Sequence, residues 1–287
     1  SLYVNGQYIG YSEGSHNSAE FDISDYVHNG ENELIAVVFK WCNGTYLECQ
    51  DMFRENGIFR DVYITSHEES YIYDIFLRPK FVGDGNYSLI ASVDGTFATN
   101  VRITLELIGD GVERKDELQP NGTVIARNIS PKEWSAETPN VYQVIVTLEK
   151  EDGTTLECIR QIIGFKHIEI DGEVFLFNGR KIKMKGVNHH DTHPINGYVM
   201  SMDDLKKDVE LMKEYNVNTV RTAHYPPDPV FLTMCDVYGL YVIDEADIET
   251  HGFYAIPHST YNPNRLSNDM KWADHYLDRV KRMFGRD

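Results

Sequence analysis

Residues Tyr241 to Gly252, YVIDEADIETHG, begin with an apolar run and then bring Asp244, Glu245, Asp247, Glu249 and His251 close together. Carboxylates and an imidazole at the end of an apolar run are the residue types that hold a hard cation or grip a polar ligand. Glu249 and His251 stand two apart, so in an extended chain their side chains point the same way and can share one ion. Mg²⁺ prefers oxygen and keeps several waters, which suits one carboxylate and one imidazole better than a full protein cage. The plainer reading of Glu-Thr-His is a capped loop. Asp244 and Glu245 likewise carry a simple reading, as carboxylates that orient neighbouring loops.

Two further clusters have the same character, GVNHHDTHP from Gly186 to Pro194 and RTAHYPP from Arg221 to Pro227. His189, His190 and His193 invite a zinc reading, but structural zinc sites recruit cysteine or helically spaced ligands, and no cysteine accompanies these. One of the three, His189, reads as a hydrogen-bonded core residue. An arginine at the end of a buried strand, as Arg221 would be, requires a carboxylate opposite it. Either a structural ion pair or an active-site carboxylate satisfies that requirement.

The elements that must position these clusters follow from periodicity. KIKMKGVN, TVRTAHY and LYVIDEAD read as strands, each ending in one of the clusters. SMDDLKKDVELMKEYNVN reads as a helix that Ser201 caps, with Asp203 and Asp204 in the first turn and Leu205, Val209 and Met212 on one face. Pro227 to Tyr238 reads as a short helix closed by Gly239. SNDMKWADHYLDRVKRMF reads as a third helix, with Tyr276, Val280, Met283 and Phe284 on its apolar side. Strand–helix alternation with short loops indicates a parallel sheet, here the first three βα units of a (β/α)8 TIM barrel. In such a barrel the carboxyl ends of the strands lie on one face, so the three clusters converge.

Upstream the period is two. SLYVNG, YIGYSEG, NELIAVVFKW and GIFRDVYI alternate apolar and polar residues, with hairpin turns expected at Asn5-Gly6 and Asn29-Gly30. YIYDIFLRP, YSLIASV, VRITLELI, GTVIARNI, VYQVIVTLE and LECIRQIIG then follow at the rhythm of an immunoglobulin-like β-sandwich. The expected division is residues 1–66, part of an antiparallel β domain; 67–165, the sandwich; and 166–287, the opening of the barrel. The pattern is already running at Ser1 and a barrel needs roughly 250 residues, so the chain reads as a fragment.

The formal net charge of −18 opposes a nucleic-acid or anionic-membrane partner. No apolar run approaches the length of a membrane span. Four irregularly spaced cysteines, Cys42, Cys49, Cys158 and Cys235, do not form a disulfide framework and favour a reducing, cytoplasmic compartment.

GVNHHDTHP, RTAHYPP and YGLYVIDEADIETHG, with YLECQDMFRENGIFRDV and WSAETPNVYQV, resemble the bacterial β-galactosidases of glycoside hydrolase family two. The resemblance covers the whole chain and keeps the parts in order: the end of a jelly-roll sugar-binding domain, an immunoglobulin-like domain, and the start of the catalytic barrel. It implies that His190 and His224 contact the galactosyl group, that Arg221 positions the nucleophilic carboxylate, and that Glu249 and His251 are ligands of Mg²⁺. Asp51 matches an aspartate that reaches the barrel mouth to help hold Na⁺ and the sugar; on the residues alone it reads as a structural acid paired with Arg54 or Arg60. The two catalytic glutamates of the family, the acid/base in a GNES motif, match nothing here and are expected beyond Asp287. The resemblance further implies a β-galactoside substrate such as lactose and an oligomeric parent enzyme. A non-catalytic sugar-binding or assembly module, a β-glucuronidase and a β-mannosidase are the rival readings.

Overall fold

Asn5 and Gly6 both take positive φ, 49° and 77°, as a two-residue hairpin turn requires. They join β1 (Leu2–Val4) to β2 (Gln7–Gly10), and β1 also pairs antiparallel with β3 (Leu34–Ala36). A one-turn helix, α1 (Gly44–Leu47), leads into the short strand β4 (Glu48–Cys49). The computed structural model describes residues 1–53, 55–251 and 265–287; Arg54 and Gly252, invoked above, lie outside them. This region is less regular than its alternation predicts. Asn29-Gly30 forms a bend ahead of β3 and joins no two strands. GIFRDVYI is not a strand, and Val62, Tyr63 and Ile64 are 70%, 77% and 72% exposed. Alternation yields a strand only where a neighbouring backbone completes the ladder, and residues 58–69 pair with no strand among the described residues.

The sandwich consists of β5 (Tyr71–Gly83), β6 (Asn86–Thr96), β7 (Val101–Gly109), β8 (Val112–Leu118), β9 (Thr123–Ile129), β10 (Val141–Lys150) and β11 (Thr155–Gly164). Its sheets run β5-β6-β9 and β11-β10-β7-β8. Alternate residues face inward: Tyr87, Leu89, Ala91 and Val93 of β6 meet Ile103, Leu105 and Leu107 of β7 and Val144, Val146 and Leu148 of β10, all buried. The sequence pattern does not reveal β8. VERKDEL lacks apolar alternation: it is an edge strand on which Glu113, Lys115 and Glu117 face solvent while Arg114 and Asp116 are half-buried, and its signal is the Gly109-Asp110-Gly111 turn, all at positive φ.

An antiparallel meander, β12 (Ile168–Asp171), β13 (Val174–Phe177) and β14 (Arg180–Lys181), leads to the barrel. There β15 (Gly186–His189) precedes α2 (Met202–Glu214), β16 (Thr219–Thr222) precedes α3 (Pro229–Tyr238), and β17 (Tyr241–Ile243) follows. The three strands form a parallel sheet in the order β15-β16-β17. Ser201 and Asp204 make a reciprocal capping box at the start of α2, whose buried residues are Leu205, Val209 and Met212. Asp228 caps α3, and Gly239, at φ 82°, ends it. Lys213 Nζ donates to the Gly239 carbonyl, 2.8 Å, and Trp134 Nε1 of the sandwich domain donates to the Asp236 carbonyl, 2.8 Å, tying these pieces together.

Beyond β17 the chain forms β18 (Glu249–Thr250), which pairs with β4 in parallel register, Glu249 opposite Glu48. The last helix, α4 (Ala273–Arg286), follows its predicted face only in part, with Tyr276 and Met283 half-buried. Val280 and Phe284 are exposed, and the residue it buries fully is Arg279. The burial of Arg279 is electrostatic in origin. One face of α4 carries His275, Arg279 and Arg282, and these meet Glu13, Glu48 and the main-chain oxygens of Glu13 and Ser18 in the first domain.

Candidate active site

Each parallel strand of the barrel delivers polar side chains just past its last residue. β15 delivers His190 and Asp191, β16 delivers His224 and Tyr225, and β17 delivers Asp244 and Glu245. The imidazoles of His190 and His224 lie 5.6 Å apart, edge to face at 69°. Burial, and then the neighbouring His224, hold the His190 imidazole below its ordinary pKa, which favours the neutral ring. Its Nδ1 is buried with no hydrogen-bond partner among the described residues. The Ala223–His224 peptide is cis.

Arg221 ends in an ion pair. Its Nε meets Glu245 Oε1 at 2.5 Å, and its Nη1 donates to Asn188 Oδ1 at 3.2 Å. The second oxygen of Glu245 lies 2.9 Å from His224 Nδ1, so a single carboxylate holds both the arginine and the histidine. His224 Nδ1 also lies 3.2 Å from Arg221 Nη2. A carboxylate only accepts, so the shorter Glu245 contact calls for the proton on Nδ1, and Nε2 lies 3.9 Å from Glu249 Oε1. Asp244 accepts from Thr222 Oγ1 at 3.0 Å, and that hydroxyl accepts from the Glu245 amide at 3.1 Å. Burial first, and the Asp287 carboxylate second, push the Asp244 carboxyl up to about 6, against the lowering effect of the Thr222 bond.

The first domain closes the site from the side. Pairing of β4 with β18 brings the Asp51 amide to Glu249 Oε2, 3.4 Å, while the Asp51 side chain is exposed. Gln50 Nε2 donates to Asp247 Oδ1 at 3.0 Å and to the His224 carbonyl at 3.4 Å. Asp247 is fully buried and also accepts from the His16 amide, 3.2 Å, with His16 Nδ1 3.0 Å away. His16 stacks on Tyr225 at 3.8 Å and 11°.

Of the residues singled out from the sequence, His190, Arg221, His224, Glu249 and His251 are gathered into one cluster, with the backbone of Asp51 at its edge. His251 Nδ1 lies 3.6 Å from Glu249 Oε1. Adjacent ligands of an octahedral ion at about 2.1 Å are about 3.0 Å apart, so the pair is near that separation and somewhat wider. Among the described residues no group of three acidic, histidine or cysteine side chains is arranged to hold a metal. His189 takes the core role expected of it, with Nε2 3.0 Å from Asp208 Oδ2 and the ring stacked on Phe231 at 4.7 Å. Arg60 is drawn away from Asp51; it contacts Asp191 at 3.3 Å and the carbonyls of His16 and Pro226. Sequence reasoning missed the bridging role of Glu245 and the parts of Gln50, Asp247 and His16. The one signal for them was acidic density at 244–249.

All four cysteines are free thiols, and no described helix is long and apolar enough to cross a membrane.

Comparison with known proteins agrees along the whole chain. Residues 1–68 match the family described as "Glycosyl hydrolases family 2, sugar binding domain", residues 70–166 match "Glycosyl hydrolases family 2", and residues 168–287 match "Glycosyl hydrolases family 2, TIM barrel domain". A β-galactosidase of Vibrio vulnificus is 39% identical over 303 residues, and one of Photobacterium profundum is 40% identical over 303 residues. Each alignment covers 100% of this chain and 29% of the relative, so the chain spans less than a third of those proteins. Among solved structures, a β-D-glucuronidase of Dictyoglomus thermophilum superposes with a TM-score of 0.76 at 20% identity, covering 100% of this chain and 52% of that one. A β-glycosidase from Bacteroides vulgatus gives 0.78 at 23% identity, over 100% of this chain and 36% of the other. At such identities the superpositions establish the shared fold. The partial jelly-roll, the immunoglobulin-like sandwich and the opening of the TIM barrel are thus consecutive parts of one architecture, and the chain belongs to glycosyl hydrolase family 2.

Proposed function

We propose that this chain is part of a retaining β-galactosidase that hydrolyses terminal β-galactosides such as lactose. The observation that carries the reading is the 39–40% identity, over the full chain, to proteins named β-galactosidase. The gathering of His190, Arg221 and His224 at one mouth supports it. In this reading His190 and His224 bind the galactosyl hydroxyls through their imidazole nitrogens, the unpartnered His190 Nδ1 being suited to that task. Arg221 orients the nucleophilic carboxylate, and Asp51 reaches the sugar from the jelly-roll domain.

Retaining hydrolysis needs two carboxyl groups about 5 Å apart, one as acid/base and one as nucleophile. We assign both to the remainder of the whole protein, of which curated relatives have more than two thirds beyond the matched part. Glu249 and His251 are assigned to Mg²⁺, supported by their 3.6 Å approach, and Asp51 to Na⁺. The bound Mg²⁺ would supply positive charge at the mouth. Glu249 and His251 would fix the position of that charge, and the Glu249 contact with the Asp51 amide would keep the jelly-roll edge beside it. We divide the chain at residues 1–66, 67–165 and 166–287, and assign the whole protein to the cytoplasm as an oligomer, a compartment that the free thiols favour.

The test is to assay the whole protein and the 287-residue chain side by side on nitrophenyl β-galactoside, β-glucuronide and β-mannoside. The whole protein is expected to prefer the galactoside by a factor on the order of 100 or more, and the chain to be inactive. A preference for the glucuronide overturns the substrate. Inactivity of the whole protein on all three supports a binding module. Turnover by the chain that survives re-purification overturns the assignment of the carboxylates.

A further inference from the structure

We infer that Glu245 is a positioning residue for the reaction, acting through Arg221 and His224 at once. The inference rests on the reading above, in which those two side chains meet the nucleophile and the sugar. Its own basis is geometric. The two oxygens of one carboxylate are divided between Arg221 Nε, 2.5 Å, and His224 Nδ1, 2.9 Å. Glu245 itself is held by its amide bond to Thr222 Oγ1, 3.1 Å, on the neighbouring strand β16.

Three consequences follow from that division. The carboxylate fixes the rotamers of two side chains that come from one strand end, Arg221 inside β16 and His224 just beyond it. It also selects the His224 tautomer, with the proton on Nδ1 and the lone pair of Nε2 turned toward the mouth. Finally, it neutralises the guanidinium through Nε, so Arg221 directs Nη1 to Asn188 and Nη2 toward His224. Removing the charge while keeping the shape, as Glu245→Gln does, leaves one acceptor where two donors need one each. The amide nitrogen then either faces Arg221 as a donor against a donor, or faces His224 Nδ1, which can accept from it only by giving up its proton and taking the other tautomer. Either the arginine turns away or the histidine presents Nε2–H, not a lone pair, to the mouth.

A displacement of this kind acts on rate more than on binding, because the contacts concerned strengthen as the reaction proceeds. The experiment uses the whole protein with Glu245→Gln, Glu245→Asp, His224→Ala and the double variant Glu245→Gln/His224→Ala. Turnover is read on whichever aryl glycoside the unsubstituted protein hydrolyses, so inactivity on the galactoside alone overturns the substrate reading and leaves Glu245 measurable. For Glu245→Gln we expect kcat to fall by about 100-fold, the scale of a 1 Å misplacement, with KM changed by less than about threefold. Affinity for the matching aldonolactone, a planar mimic of the transition state, falls in step with kcat/KM. Glu245→Asp, which keeps both acceptors on a shorter stem, recovers part of the loss. In the His224→Ala background the same change costs clearly less than in the unsubstituted protein.

The inference is overturned by a kcat within twofold of the unsubstituted value. Multiplicative losses in the double variant, or a loss of kcat with unchanged lactone affinity, overturn it too, since Glu245 would then act independently of His224 or only on folding. A protein that hydrolyses no glycoside overturns both this inference and the reading beneath it.

Discussion

Arg279 and Glu48 are buried against each other across the boundary between α4 and the first domain: the arginine side chain has no exposed surface, that of Glu48 is 8% exposed, and Nε reaches Oε1 at 3.1 Å. Burial, then the charge of Asp247, push the Glu48 carboxyl upward, and Arg279 opposes both. Arg279→Ala leaves an uncompensated buried carboxylate and is expected to destabilise the chain by about 3–5 kcal/mol. Pairing it with Glu48→Leu should recover at least half of that loss, because both charges are then gone. Urea unfolding of the unsubstituted chain and of the two variants measures this. Equal losses in the single and double variants would show that packing, and not charge, is what the pair contributes.

Asp244 gives the chain a pH-dependent weakness. Its carboxyl titrates at about 6 in the folded protein against 3.8 for an ordinary aspartate. Between those values the folded state holds more protons than the unfolded state, so stability from this group is complete below about pH 4 and is lost as pH rises toward 6. The loss, discounted for partial exposure, is about 1–2 kcal/mol. Asp244→Asn keeps the acceptor for Thr222 and removes the titration. Its unfolding midpoint should therefore match that of the unsubstituted chain near pH 4 and exceed it near pH 7. A difference that does not change with pH disproves the account.

His190→Ala and His224→Ala in the whole protein are expected to lower kcat by roughly 10²–10³-fold, the cost of losing a hydrogen-bond partner whose contact strengthens in the transition state. Melting temperatures should stay within a few degrees, since neither ring is a core residue. Near-normal turnover in either variant assigns that histidine to structure.

Mg²⁺ titrated calorimetrically into the 287-residue chain is expected to bind weakly, with a dissociation constant on the order of millimolar. Two protein ligands provide little charge, and Mg²⁺ parts with its waters reluctantly. Glu249→Gln should abolish the remaining heat. Low-micromolar binding would reveal ligands other than Glu249 and His251.

What the sequence disclosed and what it withheld divide along the range of the interactions. The capped start of α2 at Ser201, its buried face, and the end of α3 at Gly239 are set by neighbours within a few residues, and each is where local reasoning puts it. The inward residues of β6, β7 and β10 follow the same rule. The face of α4 does not, because its partners Glu13 and Glu48 lie in another domain and no local pattern names them. Of the site, the residue types and strand ends were legible, and so was the need of Arg221 for a carboxylate. That Glu245 answers this need, and that it holds His224 as well, depends on how β16 and β17 are aligned. The exposed apolar residues 62–64 show the converse, a local pattern with no partner to realise it.

The parallel pairing of β4 with β18 also bears on the order in which the protein matures. Synthesis proceeds from the amino end, so Glu48 and Cys49 are exposed on the nascent chain long before Glu249 and Thr250 are made. Their pairing closes a loop of about 200 residues, an entropic cost met only after the intervening sandwich and the first barrel units have compacted. Glu249 therefore reaches its place beside Glu48 and Asp51 only after those parts have formed. A chain stalled or cleaved between the sandwich and β18 leaves the edge of β4 without its partner, so the vulnerability of this protein during biogenesis lies in a contact between its first and last thirds.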